Sequence, residues 1–251
     1  MTVLRVARAA LLAVATTVVA LAQLHLPSER FWEQHHLAQW ISVGLLALFI
    51  VGEGVASVAV AVQQDRIHEY DNDIRTTLTV ALAEVVDVTD ARWDEVAIRY
   101  YRRRGFWIWR RLILVAALHA VAAVRDTLHS VRLGAGPAGV AVETEEIVSE
   151  QWRDFAQSAT RQGRNAWEAR PVAERYGLSW GELRRSAKPE GLVAYPTFGE
   201  NGQVDGCIML SGTLKASELA GEQVLDILDS AATSLDRAGP PPRGWWMSRG
   251  R

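Results

Sequence analysis

The stretch GLVAYPTFGENGQVDGCIML, residues 191–210, decides the fold. Two apolar runs, Leu192–Pro196 and Val204–Leu210, flank the polar turn Gly199–Gly202. That arrangement predicts an antiparallel hairpin. Downstream, Ser217–Arg237 carries Leu219, Val224, Ile227, Leu228, Ala231 and Leu235 at helical spacing, predicting one long amphipathic helix. Upstream, Trp180–Ala187 reads as a short helix. Asp94–Tyr101 alternates, with Val96, Ile98 and Tyr100 on one side and Glu95, Ala97 and Arg99 on the other, as a strand does. The uncharged run Leu112–Val124 is too short for a bilayer and predicts a buried helix or strand pair, with His119 a satisfied core residue. GAGPAG at 134–139 predicts a turn, and Gly139–Val142 a strand after it. The order gives an α+β fold, an antiparallel sheet with its terminal helices on one face.

The 251 residues have a mean hydropathy of +0.01 despite 22% charged residues, so the apolar residues are unevenly spread. They concentrate before residue 64. Ala9–Ser28 is uncharged, and Leu37–Gln64 holds one charge, Glu53. Twenty helical residues span about 30 Å, the thickness of the hydrocarbon. The sequence thus predicts a two-helix transmembrane hairpin over 1–64, with helices near 9–28 and 37–62. A stalk at 65–75, a domain at 76–238 and a disordered basic tail at 239–251 follow. Arg5, Arg8, Arg66 and Arg75 outside the hairpin, against Arg30 within its loop, place both termini in the cytoplasm. Ala20-Leu21-Ala22 also resembles a signal-peptidase site. Cleavage there would leave the second helix as the anchor and the domain still inside. Glu53 either faces a partner helix within the membrane or reaches the headgroups.

A formal charge of −2 argues against bulk nucleic-acid binding. One cysteine, Cys207, excludes internal disulfides and fits a reducing compartment. Two lysines against 25 arginines point to a GC-rich, actinobacterial genome. Two motifs suggest chemistry that their context denies. Gly177-Leu178-Ser179-Trp180-Gly181 matches the nucleophile elbow, but no histidine follows His129. Ser179 and Glu182 instead form a capping box. Gly134-x-Gly136-x-x-Gly139 matches the dinucleotide fingerprint, yet Pro137 and VAVE favour a loop. No catalytic residue, metal site or cofactor is expected.

RYYRRRGFWIWRR, residues 99–111, interleaves Arg102, Arg103, Arg104, Arg110 and Arg111 with Trp107 and Trp109. Near a membrane, such a segment suits anionic headgroups, with the tryptophans in the interface. A solvated arginine face over a core strand has the same pattern, and stacking on nucleic acid is the third alternative.

YGLSWGEL, then GLVAYPTFGENGQVDGCIML, then LDILDSAATSLDRAG resemble the ending of a GAF domain, and the likeness extends over residues 73–238. The resemblance implies a homodimer through the terminal helices and a small ligand held against the sheet. Trp152, Arg175 and Tyr195 are the candidate ligand residues. The cyclic-nucleotide signature and a chromophore cysteine are absent, and ETEEIVSEQW at 143–152 replaces the usual small residues. Three functions fit: a membrane-tethered sensor of a small molecule or partner, a bilayer-perturbing effector, and a scaffold.

Overall fold

Seven consecutive residues of one strand, Val96–Arg102, are buried, so this strand is covered on both faces and lies inside the sheet. The computed structural model describes residues 13–14, 16–21, 23–24, 26, 36–105, 110–119, 130–186, 189–199 and 201–248. Helix α1 spans His36–Thr89, followed by β1 Val96–Arg104, β2 Arg111–His119, β3 Ser130–Arg132, α2 Gly136–Thr144 and β4 Val148–Glu150. Then come α3 Trp152–Ala169, α4 Trp180–Ser186, β5 Gly191–Phe198, β6 Val204–Gly212, α5 Ala216–Leu219, α6 Glu222–Arg237 and α7 Trp245–Ser248. Six strands form one sheet in the order β3-β2-β1-β6-β5-β4, each neighbouring pair antiparallel. The expected hairpin is β5–β6, with Tyr195 opposite Ile208 and Leu192 opposite Ser211.

The pleat sorts the side chains onto two faces. On one face Tyr195 donates to Asp229 of α6 at 2.7 Å, and Arg102 donates to the Tyr70 hydroxyl of α1. The terminal helices therefore share this face, burying Ile74, Leu78 and Val85 from α1 and Val224, Leu228 and Leu235 from α6. Each such aliphatic side chain contributes about 1.5–3 kcal/mol when fully buried. On the other face Tyr101, Cys207 and Ala194 pack against Ala138, Ala141 and Val142 of α2. Leu192 joins a second cluster with Trp152, Trp167, Leu178 and Leu183.

Three expectations change. VAVE is helical, because Gly134 (φ 69°) and Gly136 (φ 67°) turn the chain and Pro137 starts α2. A Cβ on Gly139 would lie 2.4 Å from the Arg132 carbonyl, so helix and strand can meet only at a glycine. Ser217–Arg237 is two helices, since Gly221 is extended (φ −60°, ψ 147°) and caps α6. Leu112–Val124 is a strand as far as His119, and 120–129 lie outside the described residues. Ser179 and Glu182 do form the capping box: the Ser179 amide donates to Glu182 Oε2 at 2.8 Å, and the Glu182 amide to Ser179 Oγ at 3.4 Å.

His68–Trp246 forms one compact unit, and the remaining residues form a second. In the second, α1 carries the apolar run, with Trp40, Leu48, Ile50 and Val55 exposed. Among the described residues α1 is the one helix long and apolar enough to cross a membrane. Of the first expected helix, 9–28, residues 13–14, 16–21 and 23 are helical, and nine of its twenty positions lie outside the described residues.

Gly139→Val should lower the thermal midpoint of the full chain in detergent, at a cost of about 2 kcal/mol or more, because backbone must move. Gly181→Ala, in α4 with open space around it, is the control and should be neutral or slightly stabilising.

Candidate functional site

The expected ligand residues do not converge. Trp152 is 1% exposed, stacks on Phe155 at 5.2 Å, and donates from Nε1 to the Ser186 carbonyl at 2.8 Å. Its role is to fill the core between α3 and α4. Arg175 is half-buried and reaches the Leu178 carbonyl at 3.5 Å. Tyr195 is on the opposite face, bonded to Asp229, because it alternates with Ala194 along β5. A cavity between the sheet and residues 143–180 cannot be lined by all three.

The arginines of the basic segment also separate. Arg102 is 9% exposed, and its Nη2 donates to Asp205 Oδ2 at 2.8 Å. Its Nη1 donates to the Gly239 carbonyl at 3.2 Å and to Tyr70. It is a structural ion pair, not a lipid contact. Arg103 is half-buried, whereas Arg104, Arg110 and Arg111 are exposed. Register places Arg104 opposite Arg111, and Arg111 opposite Arg132, so the three arginines form one row across β1, β2 and β3, with Arg132 Nη2 3.9 Å from Glu182 Oε2. Like charges so paired are destabilising in a sheet. Trp107 and Trp109 lie outside the described residues, and Glu53 is on α1, outside the unit that holds the sheet.

The tail is not free chain. Trp245 is fully buried, donates from Nε1 to Asp71 Oδ1 at 2.6 Å, and meets the Tyr70 ring edge-on at 5.4 Å. The Arg104 guanidinium lies 5.2 Å from the Trp246 ring centroid. A Trp-Trp pair after a proline run was the available signal. Composition alone made it look disordered.

Sequence reasoning missed the most unusual group on the α2 face. Arg99 is 4% exposed, and its Nη1 donates to Ser211 Oγ at 2.6 Å. Burial lowers its pKa from the ordinary value. On the same face of β2, opposite Ala97, stands His119. Its buried Nδ1 has no hydrogen-bond partner among the described residues, unlike the satisfied core histidine expected. The signal was present: an arginine in mid-strand, flanked by Ile98 and Tyr100, must point somewhere. Cys207 is fully buried, and desolvation pushes its thiol above the ordinary range. A thiol so protonated is a poor nucleophile. Among the described residues no cluster of His, Cys, Asp and Glu could hold a metal.

No protein-family model and no curated protein matches the chain. Solved structures similar to it include a type II free methionine-R-sulfoxide reductase from Thermoplasma acidophilum, 15% identical, covering 67% of this chain and 94% of that one at a TM-score of 0.43. A GAF domain from an Acinetobacter phosphoenolpyruvate-protein phosphotransferase is 15% identical, with 70% and 92% covered and a TM-score of 0.42. The free methionine-R-sulfoxide reductase of Neisseria meningitidis is 14% identical, with 71% and 88% covered and a TM-score of 0.40. All three likenesses are distant, and what those proteins bind or catalyse belongs to them.

Desolvation and the hydrogen bond to Asp229 push the Tyr195 phenol up to about 12 from 10.0. The folded state holds that proton more tightly than the unfolded chain, so the contribution is complete below pH 10 and is lost as pH rises toward 12. Tyr195→Phe should therefore lose less stability than the unmodified chain between those two values. Equal slopes in alkaline denaturation would contradict the assignment.

Proposed function

We propose that the protein is a membrane-tethered, GAF-like sensory module that binds a small molecule in the cytoplasm and passes the change to the membrane through α1. One observation carries this reading. The single helix His36–Thr89 contains both an apolar run of membrane-spanning length and the core residues Ile74, Leu78 and Val85. A change in the packing of those residues acts on the same helix that holds the apolar run. The exposed Arg104, Arg111 and Arg132 row, of which Arg132 has Glu182 at 3.9 Å, would face anionic headgroups in this reading, at about 1 kcal/mol per arginine near the surface. Copies pair, in this reading, along Thr76 and Val80 of α1 and Ile227 and Ser230 of α6, which line one open groove.

A reporter fused after Arg251 should report cytoplasm, and the chain should stay with membranes through alkaline extraction. Periplasmic reporter activity, or release by alkali, would overturn the tether. In reconstituted vesicles, replacing Arg104, Arg111 and Arg132 with glutamine should abolish the protection of the β1–β2 hairpin from proteolysis given by anionic lipid at low salt. Equal protection by neutral lipid would remove the headgroup contact. Protection should fade as salt shortens the screening length to about 8–10 Å.

A further inference from the structure

Strand β1 buries two guanidinium groups on opposite faces, and among the described residues only Arg102 has a carboxylate partner. Arg102 has the Asp205 carboxylate at 2.8 Å. Arg99 has no carboxylate within ion-pair distance among the described residues. Among the described residues its one side-chain partner is the neutral Ser211 hydroxyl, which accepts from Nη1. Nε is buried and unpartnered, whereas Nη2, which makes no hydrogen bond to a described residue, is not fully buried. Nε and Nη2 form the side edge of the guanidinium, two parallel N–H donors at the spacing of a carboxylate's oxygens.

Register puts Ala117 and Met209 on either side of Arg99, and the next row runs His119, Ala97, Ser211 and Leu192 across four strands. Ala97, Ala117 and Ser211 are the small side chains beside this charge, among the larger Met209, Leu192 and His119, and the His119 Nδ1 is unpartnered on that face. An unpaired buried charge costs several kcal/mol, and an anion seated on it recovers that cost. One guanidinium with apolar neighbours matches a single negative charge. A phosphate dianion needs more donors than this face supplies.

We propose that Arg99 anchors a binding site for a small monocarboxylate, held side-on by Nε and Nη2, with Ser211 fixing the guanidinium and His119 on the same face available to the same carboxylate. This rests on the sensory reading above and names its ligand class. Ser211 acts as a positioning residue here, holding Nη1 and leaving Nε and Nη2 for the ligand.

The test uses the full chain in detergent, with propionate and butyrate as probes, propionamide as the neutral isostere, and inorganic phosphate as the competing anion. The acids should raise the thermal midpoint saturably, by a few degrees at roughly 10 mM for a millimolar site. Propionamide and phosphate should not. Arg99→Gln removes the charge but keeps a donor for Ser211, and it should lose the response. Arg99→Lys keeps the charge but loses the fork, and it should weaken the apparent affinity at least tenfold. If neither variant folds, the acid-against-amide contrast in the unmodified chain still decides. No response to either acid, an equal response to propionamide, a phosphate response in their place, or an undiminished response in Arg99→Gln overturns the proposal. A flat carboxylate response with membrane retention intact sinks this site alone. A chain that binds propionate yet washes off membranes sinks the tether alone.

Discussion

Strand β1 must place two charged side chains in a low-dielectric interior, and most of the domain is arranged around how it does so. A guanidinium cannot shed its proton, so the alternatives are a counter-charge, a full set of acceptors, or a persistent penalty. Arg102 takes the first two. Asp205 neutralises it, the Gly239 carbonyl and Tyr70 hydroxyl accept from it, and Thr197 steadies Asp205 at 3.2 Å. That network ties α1, β1, the start of β6 and the chain after α6 at one point. Trp245, bonded to Asp71, closes the same corner.

Arg99 meets the same physics with fewer partners. Its face is built to bring backbone close rather than to supply acids. Gly139 lets α2 rest on the Arg132 carbonyl, and Ala138, Ala141 and Ala194 keep the layers thin there. Beyond α2, the heavy aromatic cluster of Trp152, Phe155, Trp167 and Tyr176 fills the other half. Arg99 lies between the two, with Tyr101 in the first cluster and Leu192, two strands away, in the second. The charge thus lies between two packed clusters with no carboxylate partner among the described residues.

How much of this could be read in the residues depended on range. The β5–β6 hairpin, the Ser179–Glu182 cap and the helical face of α6 are set by neighbours in sequence, and they stand as expected. VAVE misled because four alternating residues also fit Ala138, Ala141 and Val142 at helical spacing, and glycines with positive φ decide which wins. The candidate site was hardest. Trp152, Arg175 and Tyr195 were chosen by type, but β5 parity sends Tyr195 to α6. Arg102 looked like surface because its partners, Tyr70 and Asp205, are 32 and 103 residues away. The burial of Trp245 rests on Asp71, 174 residues distant. No local pattern carries such pairings.

Among the described residues, β1 holds one buried arginine paired with a carboxylate and one without. The most direct measurement is the denaturation midpoint of the full chain in detergent, without added carboxylate, for Arg99→Met and Arg102→Met. Replacing an uncompensated buried charge with an apolar side chain of similar length should leave the midpoint unchanged or raise it. Removing Arg102 should lower it, by the equivalent of about 3 kcal/mol, because Asp205 loses its partner. Equal losses in the two variants would contradict the account, since they would mean that Arg99 is already neutralised within the fold.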